Sequence, residues 1–136
     1  MAFAEQGKIA ELKVTQDLLL KGYEVFLPVL DSSRADLIAI RDSEVLKVQV
    51  KSTSTNNGIA TLVINKVRRN SSKGNFLSPY LPEEIDLFAL HICDLDKIAY
   101  IKLKDIDVRY TVTFRTSPSK NNQIKDVRYL EDYLKF

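Results

Sequence analysis

Cysteine and histidine are nearly missing from this chain: Cys93 and His91 are the only ones. A single cysteine rules out an internal disulfide and suits a reducing compartment. One Cys and one His cannot build a Cys/His zinc site. No apolar run approaches the length of a membrane span, and the opening MAFAEQGK does not read as a signal peptide, so a cytoplasmic chain without a membrane partner is expected. A third absence is local. Residues 45–82 contain no Asp or Glu, while Lys47, Lys51, Lys66, Arg68, Arg69 and Lys73 give that window a charge of +6. Residues 83–107 reverse the balance, with seven acids against Lys97, Lys102 and Lys104, or −4. The overall charge of +2 hides this separation. A polyanion lying along the basic window is its natural partner.

The remaining composition is that of a folded protein. The 136 residues are 45% hydrophobic and 28% charged, enough for one core and one domain over 1–136. There is no internal repeat, low-complexity tract or linker. Residues 5–21 predict a largely buried helix, with Ile9, Ala10, Leu12, Val14, Leu18, Leu19 and Leu20 on most sides and Gly22 as its C-terminal cap. Glu11 falls on the stripe of Val14 and Leu18, where a carboxylate needs a cationic or hydrogen-bonding partner. Residues 23–29 predict a short strand ending at an edge or bulge near Pro28.

The stretch ADLIAIRDSEVLKVQVK, residues 35–51, predicts a hairpin turning at Asp42-Ser43. Side chains alternate along a strand, so Gln49 and Lys51 share a face opposite Val48 and Val50. Asp36 enters the first strand. A carboxylate, an amide oxygen and an ammonium can then meet at one end of the hairpin, a minimal set for a divalent cation, a phosphate and a water molecule.

Asn57-Gly58 is a hairpin signal leading into a strand over residues 59–65. Residues 66–75, KVRRNSSKGN, read as a basic loop, and Pro79, Tyr80 and Pro82 break any regular element after it. Residues 86–93 and 98–103 predict a second hairpin. His91 reads as a core or edge residue, since nothing beside it in sequence supplies an orienting partner. Residues 104–109 predict a helical turn, residues 110–115 a strand, 117–122 a loop, and a short terminal helix from Asp126 packs Val127, Leu130 and Leu134.

A helix carrying Glu11, the strand GYEVFLP, then ADLIAI and VQVKST resemble the PD-(D/E)XK nuclease superfamily. GKIAELKVTQDLLLKGYEVFLPVLDSSRADL with LKVQVK resembles, more narrowly, its small group I intron-encoded homing endonucleases, in which a glutamine takes the place of the acid two before the lysine. EEIDLFALHICDLDKIAYIKL resembles the family's second hairpin, so the likeness covers roughly residues 7–104. Ala35 and Gln49 depart from the superfamily pattern, which has proline and a carboxylate there.

The resemblance implies an α/β, restriction-endonuclease-like core: a central mixed β-sheet flanked by helices, with extended β-hairpins for DNA binding. It implies hydrolysis of double-stranded DNA with Mg2+, for which Mn2+ can substitute, leaving a 5′-phosphate. Glu11, Asp36, Gln49 and Lys51 would be the catalytic set, and Asp36, Gln49, the Val50 carbonyl and Glu11 the metal donors. Lys51 would orient or deprotonate the attacking water, or neutralise the phosphate. Ser33, Arg34, Asn56, Asn57, Lys66, Arg68, Arg69 and Lys73 would contact DNA. One site cuts one strand, so duplex cleavage implies at least a dimer, and the family resemblance a tetramer, in a nucleoid-associated protein. A junction resolvase, a restriction or repair nuclease of the same fold, and a DNA-binding module silenced by Gln49 are the alternative readings.

Overall fold

The computed structural model describes residues 2–70, 74–79, 83–106, 111–117 and 127–136, with backbone pairing alone for 65–70 and 74–79. Helix α1 spans Phe3–Leu20. It ends as a glycine at position 22 should end it. Gly22 takes φ +89°, its N–H donates to Leu19 O at 3.0 Å, and the Tyr23 N–H reaches back to Leu18 O at 3.0 Å. Strands β1 (Glu24–Phe26), β2 (Leu37–Arg41), β3 (Glu44–Thr53), β7 (Leu87–Ile92) and β8 (Lys97–Lys102) form a five-stranded mixed sheet in the order β1-β2-β3-β7-β8. β3 is antiparallel to β2 and parallel to β7. β4 (Ile59–Val63) pairs with β9 (Thr111–Arg115), and β5 (Asn65–Asn70) with β6 (Gly74–Pro79), as two antiparallel pairs.

The sheet is covered on both faces, which is why all six residues of β7, LFALHI, are buried. On one face Val48, Val50, Leu37, Ala39, Leu87 and Ala89 pack under Ala10, Val14 and Leu18 of α1. On the other, Phe88, Leu90, Ile92, Ala99 and Ile101 pack against Ala60 and Leu62 of β4 and Val112 and Phe114 of β9. The alternation TVTFR in β9 sends Val112 and Phe114 inward and leaves Thr111 and Thr113 exposed. Two polar ties fix α1 to the sheet. Asp17 accepts from the Tyr100 hydroxyl and pairs with Lys21 at 2.7 Å. Burial, and then that bond to Asp17, push the Tyr100 phenol far above its usual range. Four residues before Asp17, Lys13 pairs with Asp96 at 3.0 Å.

Four expectations change. The helix is not largely buried: only Ala10, Val14 and Leu18 are, while Leu20 is 81% exposed and Leu12 and Leu19 also face outward. A helix lying on one sheet can bury only the stripe that meets it. The sheet is flanked by one described α-helix and, on its other face, by a two-stranded sheet rather than a second helix. Of the expected basic loop over residues 66–75, residues 66–70 are instead in β5 and 74–75 in β6, with Arg68 opposite Phe76 and Arg69 opposite Asn75, while 71–73 lie outside the described residues. The terminal helix is a single 3-10 turn, Leu130–Tyr133. Leu130 and Leu134 do pack on the core. Asp126 lies outside the described residues, as do 107–109 of the helical turn expected over 104–109; Lys104 and Asp105 fall in a 3-10 turn, Leu103–Asp105. Among the described residues no helix is long and apolar enough to cross a membrane.

Candidate active site

Asp36 stands immediately before β2 and is held to β3 at two points. Its N–H donates to Val48 O at 2.8 Å, and its Oδ2 accepts from the Val50 N–H at 2.8 Å. A strand's N–H points within the plane of its sheet, so the carboxylate bonded to it sits at the end of β2, between the two faces. Fixed by backbone on both counts, it has little freedom to move.

β3 supplies the neighbours. Val48 and Val50 are buried toward α1. Gln49 and Lys51 therefore lie on the other face, in register with Phe88 and Leu90 of β7. The Gln49 amide nitrogen donates to Val50 O at 3.4 Å. The structure thus brings together the Asp36 carboxylate, the Gln49 amide and the Val50 main chain, with Lys51 at the next same-face position.

Glu11 arrives from the α1 side. It pairs with Lys8 at 2.9 Å and lines a cavity of about 300 Å3 with Lys8, Asp31, Ser33 and Asp36. Asp36 is the link between the two groups: it borders Glu11 through this cavity and Val50 through its hydrogen bond. Gln49 and Lys51 do not line the cavity. Lys8 is held protonated above its usual range, first by the bond to Glu11 and its charge, then by the charges of Asp31 and Asp36. Among the described residues no three His, Cys, Asp or Glu side chains gather closely enough to hold a metal by themselves. A cation here must draw on neutral oxygens as well. The Gln49 amide and the Val50 carbonyl are such donors, and with a carboxylate they suit a hard divalent ion.

The DNA-contact candidates divide. Ser33 lines the Asp36 cavity. Arg34 faces Glu84, Nε to Oε2 at 3.3 Å, with its side chain only 12% exposed. Asn56 and Asn57 make the expected tight hairpin turn. Asn57 has φ 52° and Gly58 φ 75°, and Asn56 and Ile59 exchange N–H···O bonds of 2.9 and 3.0 Å. Lys66, Arg68 and Arg69 belong to β5. Lys73 lies outside the described residues.

The family model for the PD-(D/E)XK endonuclease matches residues 1–136. The chain belongs to the PD-(D/E)XK endonuclease family. That membership supports a DNA endonuclease, and members of this family generally use divalent metals. The structure is similar to that of a bacterial homing endonuclease, I-Ssp6803I, with a TM-score of 0.81 and 20% identity over 98% of this chain and 88% of that one. At that identity the likeness is one of fold, and it gives this PD-(D/E)XK endonuclease a restriction-endonuclease-like architecture. No curated relative matches.

Three features escaped sequence reasoning. Lys8 and Asp31 enter the Glu11–Asp36 cavity, and nothing in their local pattern announces it. His91, buried as expected, does have an orienting partner. Its Nε2 lies 2.9 Å from Asp96 Oδ1, and the Cys93 Sγ is 3.8 Å from its Nδ1. Asp96, five residues on, is brought back by the β7–β8 turn. Finally, Asp86 repeats the Asp36 contacts on the opposite side of β3: its N–H donates to Lys47 O at 2.8 Å and its Oδ2 accepts from the Lys47 N–H at 2.9 Å. The signal was present in the sequence, where ADLIAI at residues 35–40 and IDLFAL at 85–90 share the pattern Asp-Leu-apolar-Ala.

Proposed function

We propose that residues 1–136 form one nuclease domain that cuts double-stranded DNA at a specific sequence, as an intron homing endonuclease does, with Mg2+ or, in its place, Mn2+. The observation that carries this reading is that the Asp36 carboxylate and the Gln49 amide both bond to the Val50 main chain, with Lys51 next along the face that carries Gln49. Asp36 and Lys51 take the family's aspartate and lysine positions. Ala35 and Gln49 take those of its proline and second carboxylate.

Asp36, Gln49, the Val50 carbonyl and Glu11 would hold the cation. In this structure the Gln49 amide turns its nitrogen to Val50 O; rotation of the amide group by half a turn offers the oxygen instead. When bound, the metal would supply positive charge at the reacting phosphate and make a nearby water more acidic. Lys51 then orients the attacking water or neutralises a phosphate oxygen. Water adds to phosphorus, the bond to the 3′ oxygen breaks, and a 5′-phosphate remains. Gln49 in place of a carboxylate makes the donor set one charge less negative, which Glu11 offsets.

The contacts that choose the sequence fall to the basic β5–β6 ribbon with Lys66, Arg68 and Arg69, to Lys73, to the Asn56-Asn57 turn, and to Ser33 and Arg34. A two-stranded ribbon fits the major groove. One site cuts one strand, so a dimer is the least assembly that cleaves a duplex, and a tetramer extends the reach of a small chain. Such a protein acts at the nucleoid.

The test is a magnesium-dependent cleavage assay comparing linear duplex carrying the uninterrupted host sequence with four-way junctions. Cutting of one duplex sequence fits homing. Preference for junctions of any sequence favours a resolvase instead. If wild type and Lys51→Ala bind a mapped target equally and neither cuts it, the chain is a DNA-binding module without catalysis.

A further inference from the structure

The cavity beside Asp36 contains a cation that the proposed chemistry does not use. Lys8 Nζ lies 2.9 Å from Glu11 Oε2, and the same cavity is lined by Asp31 and Asp36. Lys8 stands one helical turn before Glu11, so the backbone of α1 fixes the pair at neighbouring sites. The lysine side chain is 69% exposed and its four-carbon stem is free to swing, whereas the Glu11 side chain is half as exposed. The ammonium therefore answers to whichever anion is strongest nearby. In the free protein that anion is Glu11, helped by the charges of Asp31 and Asp36.

We propose that Lys8 is a positioning residue that holds Glu11 away from a divalent cation until a DNA phosphate draws the ammonium off. The inference rests on reading Asp36 and Glu11 as metal donors. A divalent ion entering the free protein must displace the Lys8 ammonium from Glu11, or bind beside a like charge. Both weaken it. A phosphate at the same opening offers Lys8 a second anion, and once Lys8 has moved, the ion meets Asp36 and Glu11 without a competitor. Metal and DNA then strengthen each other's binding through one side chain, and the strengthening is reciprocal. The device also limits metal loading when no DNA is present.

Titration calorimetry with Mn2+ on the full chain tests this, first alone and then with a mixed-sequence duplex carrying non-cleavable phosphorothioate linkages. Lys8→Gln in the absence of DNA is expected to bind Mn2+ about five- to tenfold more tightly than wild type, the scale of removing one charge near a divalent ion in a wet site. The gain in Mn2+ affinity on adding duplex shrinks by the same factor. Combining Lys8→Gln with Glu11→Gln abolishes the gain, because the charge being released is gone; a merely structural role for Lys8 predicts no such dependence. Unchanged or weaker Mn2+ binding by Lys8→Gln overturns the inference, provided Asp36→Asn loses the metal. If Asp36→Asn binds Mn2+ like wild type, the metal reading itself fails, and this inference with it. Circular dichroism of each variant checks that α1 is intact.

Discussion

Asp36 and Asp86 head the two strands that flank β3, and each grips β3 in the same way. One N–H is given to a β3 carbonyl and one β3 N–H is taken by the carboxylate, at 2.8 to 2.9 Å throughout. Each is followed by a buried leucine, a residue packed on the far core, and a buried alanine. Their surroundings differ. Asp36 opens onto a polar cavity with Lys8, Glu11 and Asp31, and touches the main chain beside Gln49. Asp86 lines a larger cavity of about 420 Å3 whose walls combine Leu46, Leu87 and Phe136 with Arg41, Lys102 and Lys104. The other carboxylate there, Glu44, accepts the Tyr23 hydroxyl at 2.5 Å. An aspartate at the head of a strand is thus a structural fastening first. It becomes a candidate for chemistry when neutral oxygen donors such as the Gln49 amide and the Val50 carbonyl are held at the same stretch of strand.

Conservative substitutions separate the two roles most sharply. Asp36→Asn keeps an oxygen for the Val50 N–H but loses the charge, and cleavage of a mapped duplex is expected to fall by about a thousandfold or more. Asp86→Asn should cut within about threefold of wild type, as a change outside the reacting groups does. Equal loss in both would erase the distinction.

Truncation should instead make the two alike. Asp36→Ala and Asp86→Ala each leave a β3 N–H without its acceptor, at a cost of about 1–3 kcal/mol in urea unfolding. The matched Asn variants recover most of that. A silent Asp36→Ala would mean that its hold on Val50 contributes nothing to stability.

Binding should be separable from both. Replacing Arg68 or Arg69 with Ala is expected to lower the slope of log affinity against log salt by about 0.9 for each phosphate that is no longer neutralised. Unfolding stability should stay near wild type. A slope identical to wild type removes the ribbon from the interface.

The smallest effect concerns Asp94 and Asp96 in the β7–β8 turn. The Thr55 hydroxyl and N–H hold the Asp94 carboxyl below its usual range, and the bonds to His91 and Lys13 do the same for Asp96. A carboxylate favoured in the folded state stabilises above its unfolded pKa, near 4. That contribution fades as pH falls through the lower folded value. Stability of the Asp94→Asn, Asp96→Asn double variant should therefore fall less steeply below about pH 4 than that of wild type. An unaltered acid limb would locate the sensitivity elsewhere.

The chain is legible where periodicity and burial coincide. The β2–β3 hairpin was legible because Val48 and Val50 alternate with Gln49 and Lys51 over a sheet with different layers on its two faces. Gly22 and Asn57-Gly58 were legible because their positive φ angles demand those residues. The β5–β6 ribbon was not, because KVRRN and GNF show no apolar repeat and mix turn residues with charge. The exposure of Leu12, Leu19 and Leu20 was missed because leucine favours a helix whether or not anything covers it. The candidate site was half legible. Asp36, Gln49 and Lys51 lie within one hairpin, but the pairing of Glu11 with Lys8 and the entry of Asp31 arise only when the helix and the 27–36 segment close on each other.

The ribbon has a consequence of its own. After Ile64 the chain leaves the sheet of β4 and β9, and β5 and β6 pair only with one another among the described residues. Its hydrogen-bond register is therefore independent of β3. If the ribbon contacts DNA as proposed, exchange of its residues would alter which sequence is gripped without disturbing the strand that carries Gln49 and Lys51. On that reading, retargeting would be a matter of rewriting one short arm while the proposed cutting apparatus stays untouched.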